Sequence, residues 1–148
     1  MTTLPATTRI VLGDWATLET DAYAVRHAVF VVEQQIPVEL EWDAMDAQCL
    51  HAVAYNEQQE PVGTGRLLPD GHIGRMAVLA SARNTGVGAQ ILRLLMEQAR
   101  LRGDVSVRLN AQQAAETFYS RAGFARDGEI FMEAGIAHIG MQHRFPRS

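Results

Sequence analysis

The spacing of apolar residues switches repeatedly between helical and strand periods along this chain, which confines it to a small set of folds. Leu18, Ala22, Val25, Val29 and Val32 recur at helical spacing and predict a helix from about Thr17 to Glu33, after a short apolar run at Arg9–Leu12 that suits an edge strand. Gln34 to Gln48 keeps no period. It holds Pro37, Glu41, Asp43 and Asp46, and reads as a loop with a short helix whose acids face solvent or a substrate. His51–Tyr55 and Val62–Leu68 read as strands on either side of an Asn56–Pro61 turn, and Pro69-Asp70-Gly71 favours a tight turn into a further strand, His72–Leu79. Helical spacing returns with Val87, Ile91, Leu94, Leu95 and Ala99, to about Arg102, where Gly103 suits the helix end. Val105, Val107 and Leu109 alternate with Ser106 and Arg108 as a half-buried strand. A helix over about Gln113–Arg121 follows, ended by Gly123. Two strands, Ala125–Phe131 and Ile136–Arg144, are joined through Glu133-Ala134-Gly135. Such an order belongs to the α/β or α+β class, with one central mixed sheet.

Composition narrows the chemistry. At 148 residues and 47% apolar the chain forms one domain, 1–148, without an internal repeat or linker. All 13 basic residues are arginine, so a P-loop lysine, a Schiff base or a pyridoxal phosphate anchor is excluded. A formal charge of −4 without runs of like sign argues against nucleic acid and membrane surfaces as partners. Cys49, the single cysteine, forms no internal disulfide; it reads as a small buried hydrophobe more readily than as a nucleophile. Trp15 and Trp42 read as packing residues. No metal-ligand spacing is present among the five histidines. Without a basic stretch leading into an apolar run at the N-terminus, the expectation is a soluble, cytoplasmic protein.

The segment Arg83-Asn84-Thr85-Gly86-Val87-Gly88 lies between a strand and an amphipathic helix. Its glycines permit close backbone approach, and the helix start offers unpaired N–H groups, so an anion such as a phosphate fits there. An ordinary helix entry is the blander account. Ile91 stands where the dinucleotide fingerprint needs its third glycine, which excludes that motif.

These residues resemble the GCN5-related N-acetyltransferase (GNAT) family, whose pyrophosphate loop reads Arg/Gln-x-x-Gly-x-Gly/Ala between its fourth strand and third helix. Arg83, Gly86 and Gly88 match that loop, and Gly74-Arg75-Met76-Ala77-Val78 is similar to the preceding strand. Asn110 ends the next strand, and Ala115 to Phe124, with Phe118-Tyr119 and Gly123-Phe124, resembles the helix after it. Ala28 to Gln34 and Glu133 to Met141 are similar to the small bacterial ElaA-type branch, with Ala137 departing from the proline often found there. The resemblance implies a mostly antiparallel mixed sheet of about seven strands flanked by about four helices. It also implies a homodimer as one option, and acetyl-CoA as cosubstrate with no metal.

The resemblance further implies direct transfer of the acetyl group to a primary amine of a small molecule or peptide. Met76, Ala77 and Val78 would hold the pantetheine arm and polarise the thioester carbonyl through backbone groups, while Arg83, Asn84, Thr85, Gly86, Val87 and Gly88 bind the pyrophosphate. Asn110 would bind cofactor amides or a water. Tyr119 would donate to the departing thiolate, or serve as a core aromatic. The base would be one of Glu33, Asp43, Asp46, His51 and His138, acting directly or through water; Glu33, which carries the branch resemblance beside the acceptor pocket, is otherwise a solvated helix-end charge. His138 would line the same pocket or be a satisfied strand histidine. Arg66, like Arg75, would bind a substrate carboxylate or snorkel from a sheet face. The acids from Glu33 to Asp46 suit a cationic acceptor. A non-catalytic acyl-CoA sensor on the same fold is the alternative function.

Overall fold

The computed structural model describes residues 9–41 and 43–146; Trp42 and the first residues of the chain, on which two of the expectations above fall, lie outside them. Among the described residues seven strands form, in two hydrogen-bonded sheets rather than one continuous sheet. The first has the order β1 (Arg9–Gly13), β2 (Leu50–Tyr55), β3 (Pro61–Leu67), β4 (Ile73–Val78), and the second β5 (Ser106–Gln112), β7 (Ile136–Arg144), β6 (Ala125–Glu133). Every pairing within them is antiparallel. They meet through one isolated parallel bridge, His72 with Arg108, where the Arg108 amide donates to the Gly71 carbonyl at 3.1 Å. Beyond it β4 and β5 splay apart. The expected single sheet is thus split into a wedge, with β4 presenting an open edge.

Two helices sandwich the first sheet. Helix α1 (Trp15–Arg26) starts where the Asp14 carboxylate accepts from the Thr17 amide, and it buries Leu18 and Ala22 against Val53 and Tyr55. Helix α3 (Val87–Leu101) packs Ile91, Leu92 and Leu95 on the other face, against Ala52 and Ala54. That packing is close because β3 carries glycines beneath α3: a Cβ at Gly65 would sit 2.5 Å from Met76 Sδ and 3.0 Å from Leu95 Cδ1. On the second sheet Val107, Leu109, Ala111, Ile139 and Met141 continue the same core. The hairpin between β6 and β7 turns on Ala134 and Gly135, both at positive φ (52° and 75°), as a two-residue turn of the primed type requires.

Two expectations are corrected. The first helix does not run as an α-helix to Glu33: His27–Glu33 winds as a π-helix, with the Gln34 amide donating to the Val29 carbonyl five residues back at 3.0 Å. The β-branched run Val29, Val31, Val32 weakens the tighter α-turn, and this winding is common beside functional sites. Of the acids of the 34–48 segment only Glu39 is exposed; Asp43 is half-buried, and Glu41 and Asp46 are buried. That segment folds as a single-turn α2 (Val38–Glu41) and a 3₁₀ turn (Ala44–Gln48), which direct Glu41 and Asp46 into the interior. The remaining α-helix, α4 (Glu116–Arg121), is short, so among the described residues three α-helices of more than one turn flank the sheets.

Candidate active site

The wedge between β4 and β5 gathers most of the residues that the sequence singles out. β4 carries a bulge: Thr64 pairs with Ala77 and Arg66 with Gly74, so Arg75 and Met76 together oppose Gly65. A bulge disrupts the ladder and bends the strand, here within the segment expected to face a thioester. Arg75, the first of the two, has φ 48°, a left-handed conformation that a side chain disfavours. Ala77 packs on Val25 and Val29, whereas Met76 lies against Gly65 on the α3 side.

At the C-terminal end of β4 the chain enters the glycine-containing loop. Asn84 and Gly86 both take positive φ, 63° and 90°, and Thr85 Oγ1 donates to the Ala82 carbonyl. The first backbone bond into the helix runs from the Gln90 amide to the Gly86 carbonyl at 3.0 Å, and among the described residues the amides from Asn84 to Ala89 have no carbonyl partner. They make a cradle of free donors at the positive end of a four-turn helix. Gly88 keeps it open: a Cβ there would touch Val78 Cγ2 and Phe118 Cζ at 3.4 Å.

Arg83 does more than border this loop. Its Nε donates to the Val78 carbonyl at 2.9 Å, and its Nη atoms bind Glu33 bidentately at 2.6 and 2.5 Å. Glu33 is therefore no isolated base. Hydrogen bonding from Arg83 holds its carboxyl below the usual range and makes it a weaker proton acceptor. The pair ties the end of the π-helix to the end of β4.

Tyr119 lies in α4 behind the cradle, edge-to-face with Phe118 (centroids 5.0 Å apart) and Phe124 (6.1 Å). It is only 9% exposed, and burial pushes its phenol up to about 12. The hydroxyl is neutral at any working pH, and among the described residues it has no hydrogen-bond partner. Asn110 is exposed in β5 opposite Gly140, two residues before the strand's end rather than at it.

The other side of the wedge is closed by residues that sequence reasoning did not find. Gln34, directly after the π-helix, and Gln112, the last residue of β5, exchange side-chain amide bonds, with Gln112 Nε2 donating to Gln34 Oε1 at 2.9 Å. Their separation of 78 positions leaves no signal in sequence spacing. Gln112 stands opposite His138 in the strand register. His138 is buried, with Nδ1 2.7 Å from the Ile136 carbonyl oxygen and its ring stacked on Phe131, so it lines this end of the sheet without touching Glu33.

Arg66 is held away from the wedge. Its Nη1 donates to Asp46 Oδ1 (2.8 Å) and its Nη2 to Asp43 Oδ2 (2.7 Å), while Arg26 binds the same Asp46 through both Nη atoms (2.9 and 3.0 Å) and Glu41 through Nε (2.5 Å). Of the acids read as cationic-substrate chemistry, Glu41, Asp43 and Asp46 thus form an ion-pair network with Arg26 and Arg66. Among the described residues no group of acids, histidines and cysteine forms a metal site, and no helix is long and apolar enough to cross a membrane.

A splayed antiparallel wedge with a bulged edge strand and a donor-rich helix entry defines the acyl-CoA-dependent acyltransferase class. The sequence matches the family described as the acetyltransferase (GNAT) domain over residues 19–145, and the chain belongs to that family. It is 40% identical over 125 residues to the uncharacterized N-acetyltransferase YjcF of Bacillus subtilis, covering 82% of this chain and 89% of that one. Its fold is similar to the crystal structure of an acyl-CoA N-acyltransferase from Pseudomonas aeruginosa, with TM-score 0.80 and 32% identity across 92% of this chain and 99% of that one. It is also similar to Escherichia coli ElaA, with TM-score 0.82 and 28% identity across 92% and 99%.

Proposed function

We propose that the protein transfers the acetyl group of acetyl-CoA directly to a primary amine. The observation that carries this reading is that the open edge of β4 leads, through the internally bonded turn Leu79–Arg83, to the unpaired amides of the Asn84–Ala89 cradle. A pantetheine arm laid along β4 can complete its ladder, and the pyrophosphate then meets amides already pointing outward. Gly88 fits this occupant because any Cβ would narrow the space between Val78 and Phe118.

In this mechanism Met76, Ala77 and Val78 hold the arm through their backbone, and the β4 bulge presents a donor to the thioester oxygen as charge develops there. Arg83 and Asn84 to Gly88 hold the pyrophosphate, and Asn110 faces the arm from β5. The attacking amine must be neutral. Because Glu33 is engaged by Arg83, its role is to fix the loop, and water takes the amine proton. Attack forms the C–N bond, collapse breaks the C–S bond, and Tyr119 donates to the departing sulfur. A phenol at about 12 is a weak acid but an effective donor to a thiolate in an apolar setting. Gln34, Gln112 and His138 border the acceptor.

A thermal-unfolding titration with acetyl-CoA tests the cleft, and release of free CoA with an amine panel tests transfer. Saturation at about 100 times Kd adds about 2.7 kcal/mol to stability. No stabilisation of the folded protein at millimolar acetyl-CoA refutes the reading. Stabilisation without turnover of any amine leaves a sensor.

A further inference from the structure

On the α1 side of β4, three arginines and three acids share one desolvated cluster, but their hydrogen bonds are unevenly distributed. Arg26 and Arg66 account for every bond made to Glu41, Asp43 and Asp46 within it. Arg75 makes none. Its closest carboxylate oxygen, Asp43 Oδ2, is 3.6 Å away and already accepts from Arg66 at 2.7 Å. Arg75 Nε is sealed from solvent without an acceptor, and so is Arg66 Nε, on a side chain only 8% exposed. The formal charges balance. What the cluster lacks is an acceptor for two buried guanidinium N–H groups, a costly omission unless something supplies one.

Placement gives this omission a direction. Arg75 immediately precedes Met76–Val78, the edge read above as the thioester site, and the strained φ of 48° belongs to this residue. Its side chain is 29% exposed, so it can be reached from outside, unlike Arg26. Four of the five carboxylates of the 33–46 segment are engaged, Glu33 by Arg83, Glu41 by Arg26, Asp43 by Arg66, and Asp46 by both Arg26 and Arg66, while the fifth, Glu39, is exposed on α2. Glu41 Oε2 is a lone orphan acceptor, sealed beneath Arg26.

We infer that Arg75 is a specificity-determining residue that binds an anionic oxygen group carried by the acceptor, so the substrate class is a primary amine that also bears a carboxylate. The inference rests on the acyltransferase reading above. A planar guanidinium matches a carboxylate in fork geometry.

The experiment compares matched acceptors, a set of amino acids against their methyl esters with O-phosphoethanolamine as the phosphate arm, by initial rates of CoA release. In the wild type the acids show KM at least tenfold below the esters, and Arg75→Gln narrows that ratio at least fivefold, mainly through KM. Preference for O-phosphoethanolamine over every amino acid would assign the anion as phosphate and overturn the carboxylate. Equal KM for acids and esters would overturn the inference, as would an Arg75→Gln ratio that does not move. Arg75→Lys, which keeps the charge and loses the fork, replaces the glutamine variant if that one does not fold.

A second readout needs no turnover. In ¹⁵N-labelled protein without acetyl-CoA, titrated with N-acetylglycine, the arginine Nε–H resonance missing from the Arg75 variant shifts and saturates. A resonance that stays still overturns the inference even where the acetyl-CoA titration succeeds. A saturable shift sustains it where that titration fails, which separates the two readings.

Discussion

Asp46 is the keystone of the buried ion-pair network, and replacing it with alanine measures how dry that network is. Its carboxylate is 4% exposed and accepts three charge-assisted bonds, two from Arg26 and one from Arg66. Removing one member of a buried ion group costs about 3–5 kcal/mol, because the remaining charges stay desolvated. Here two guanidiniums lose their shared partner, so the upper half of that range is expected. For a chain of this length that corresponds to a fall in Tm of about 10 to 15 °C. Urea unfolding, followed by fluorescence and repeated in 1 M salt, reads the cost directly; a desolvated network changes little with salt. The internal control is Asp104→Ala, which breaks the more exposed bridge to Arg102 and costs under about 1 kcal/mol. If Asp46→Ala costs no more than Asp104→Ala, or its cost disappears in salt, water reaches the network and the desolvation account is wrong.

Three further outcomes follow from the wedge and the core. Gly88→Val fills the gap between Val78 and Phe118, so the stabilisation by acetyl-CoA is lost while the apoprotein still unfolds cooperatively; retained stabilisation in calorimetry would show that the cradle is not the binding surface. Gly65→Ala forces a Cβ onto Met76 Sδ and Leu95, costing about 1–3 kcal/mol in denaturant unfolding and displacing the β4 bulge; an unchanged midpoint would refute the tight packing. The Tyr119 phenol is raised from 10 to about 12, so the unfolded chain ionises first as pH climbs. The stability this burial contributes is intact below pH 10 and declines towards pH 12 by up to about 3 kcal/mol, a decline that Tyr119→Phe should flatten in alkaline unfolding curves. Tyr55, raised to about 12 by burial and its bond to Asp21, leaves a residual slope.

Elements whose signal is local were legible from the sequence. The strand and helix periods, the Pro69-Asp70-Gly71 turn and the glycine loop before α3 all depend on residues within a few positions of one another. The π-winding of His27–Glu33 was hidden because its apolar spacing over two turns is nearly that of an α-helix. Side-chain partners were hidden for another reason. Glu33 and Arg83 lie 50 positions apart and Gln34 and Gln112 lie 78 apart, so only the folded chain shows that a candidate base is tied to an arginine. The acids of the 41–46 segment were visible as acids, but their burial depended on Arg26 and Arg66 arriving from two other elements. Tyr119 was found by motif, whereas its unpartnered hydroxyl was visible only in three dimensions.

The single bridge between His72 and Arg108 also has a mechanical meaning. The two sheets share one backbone bridge and a common core, and Gln34, just after the π-helix, is tied to Gln112 at the end of β5. The angle between them can change without breaking any ladder within either sheet. Spacing at the mouth of the wedge is therefore set by packing and side-chain bonds rather than by strand pairing.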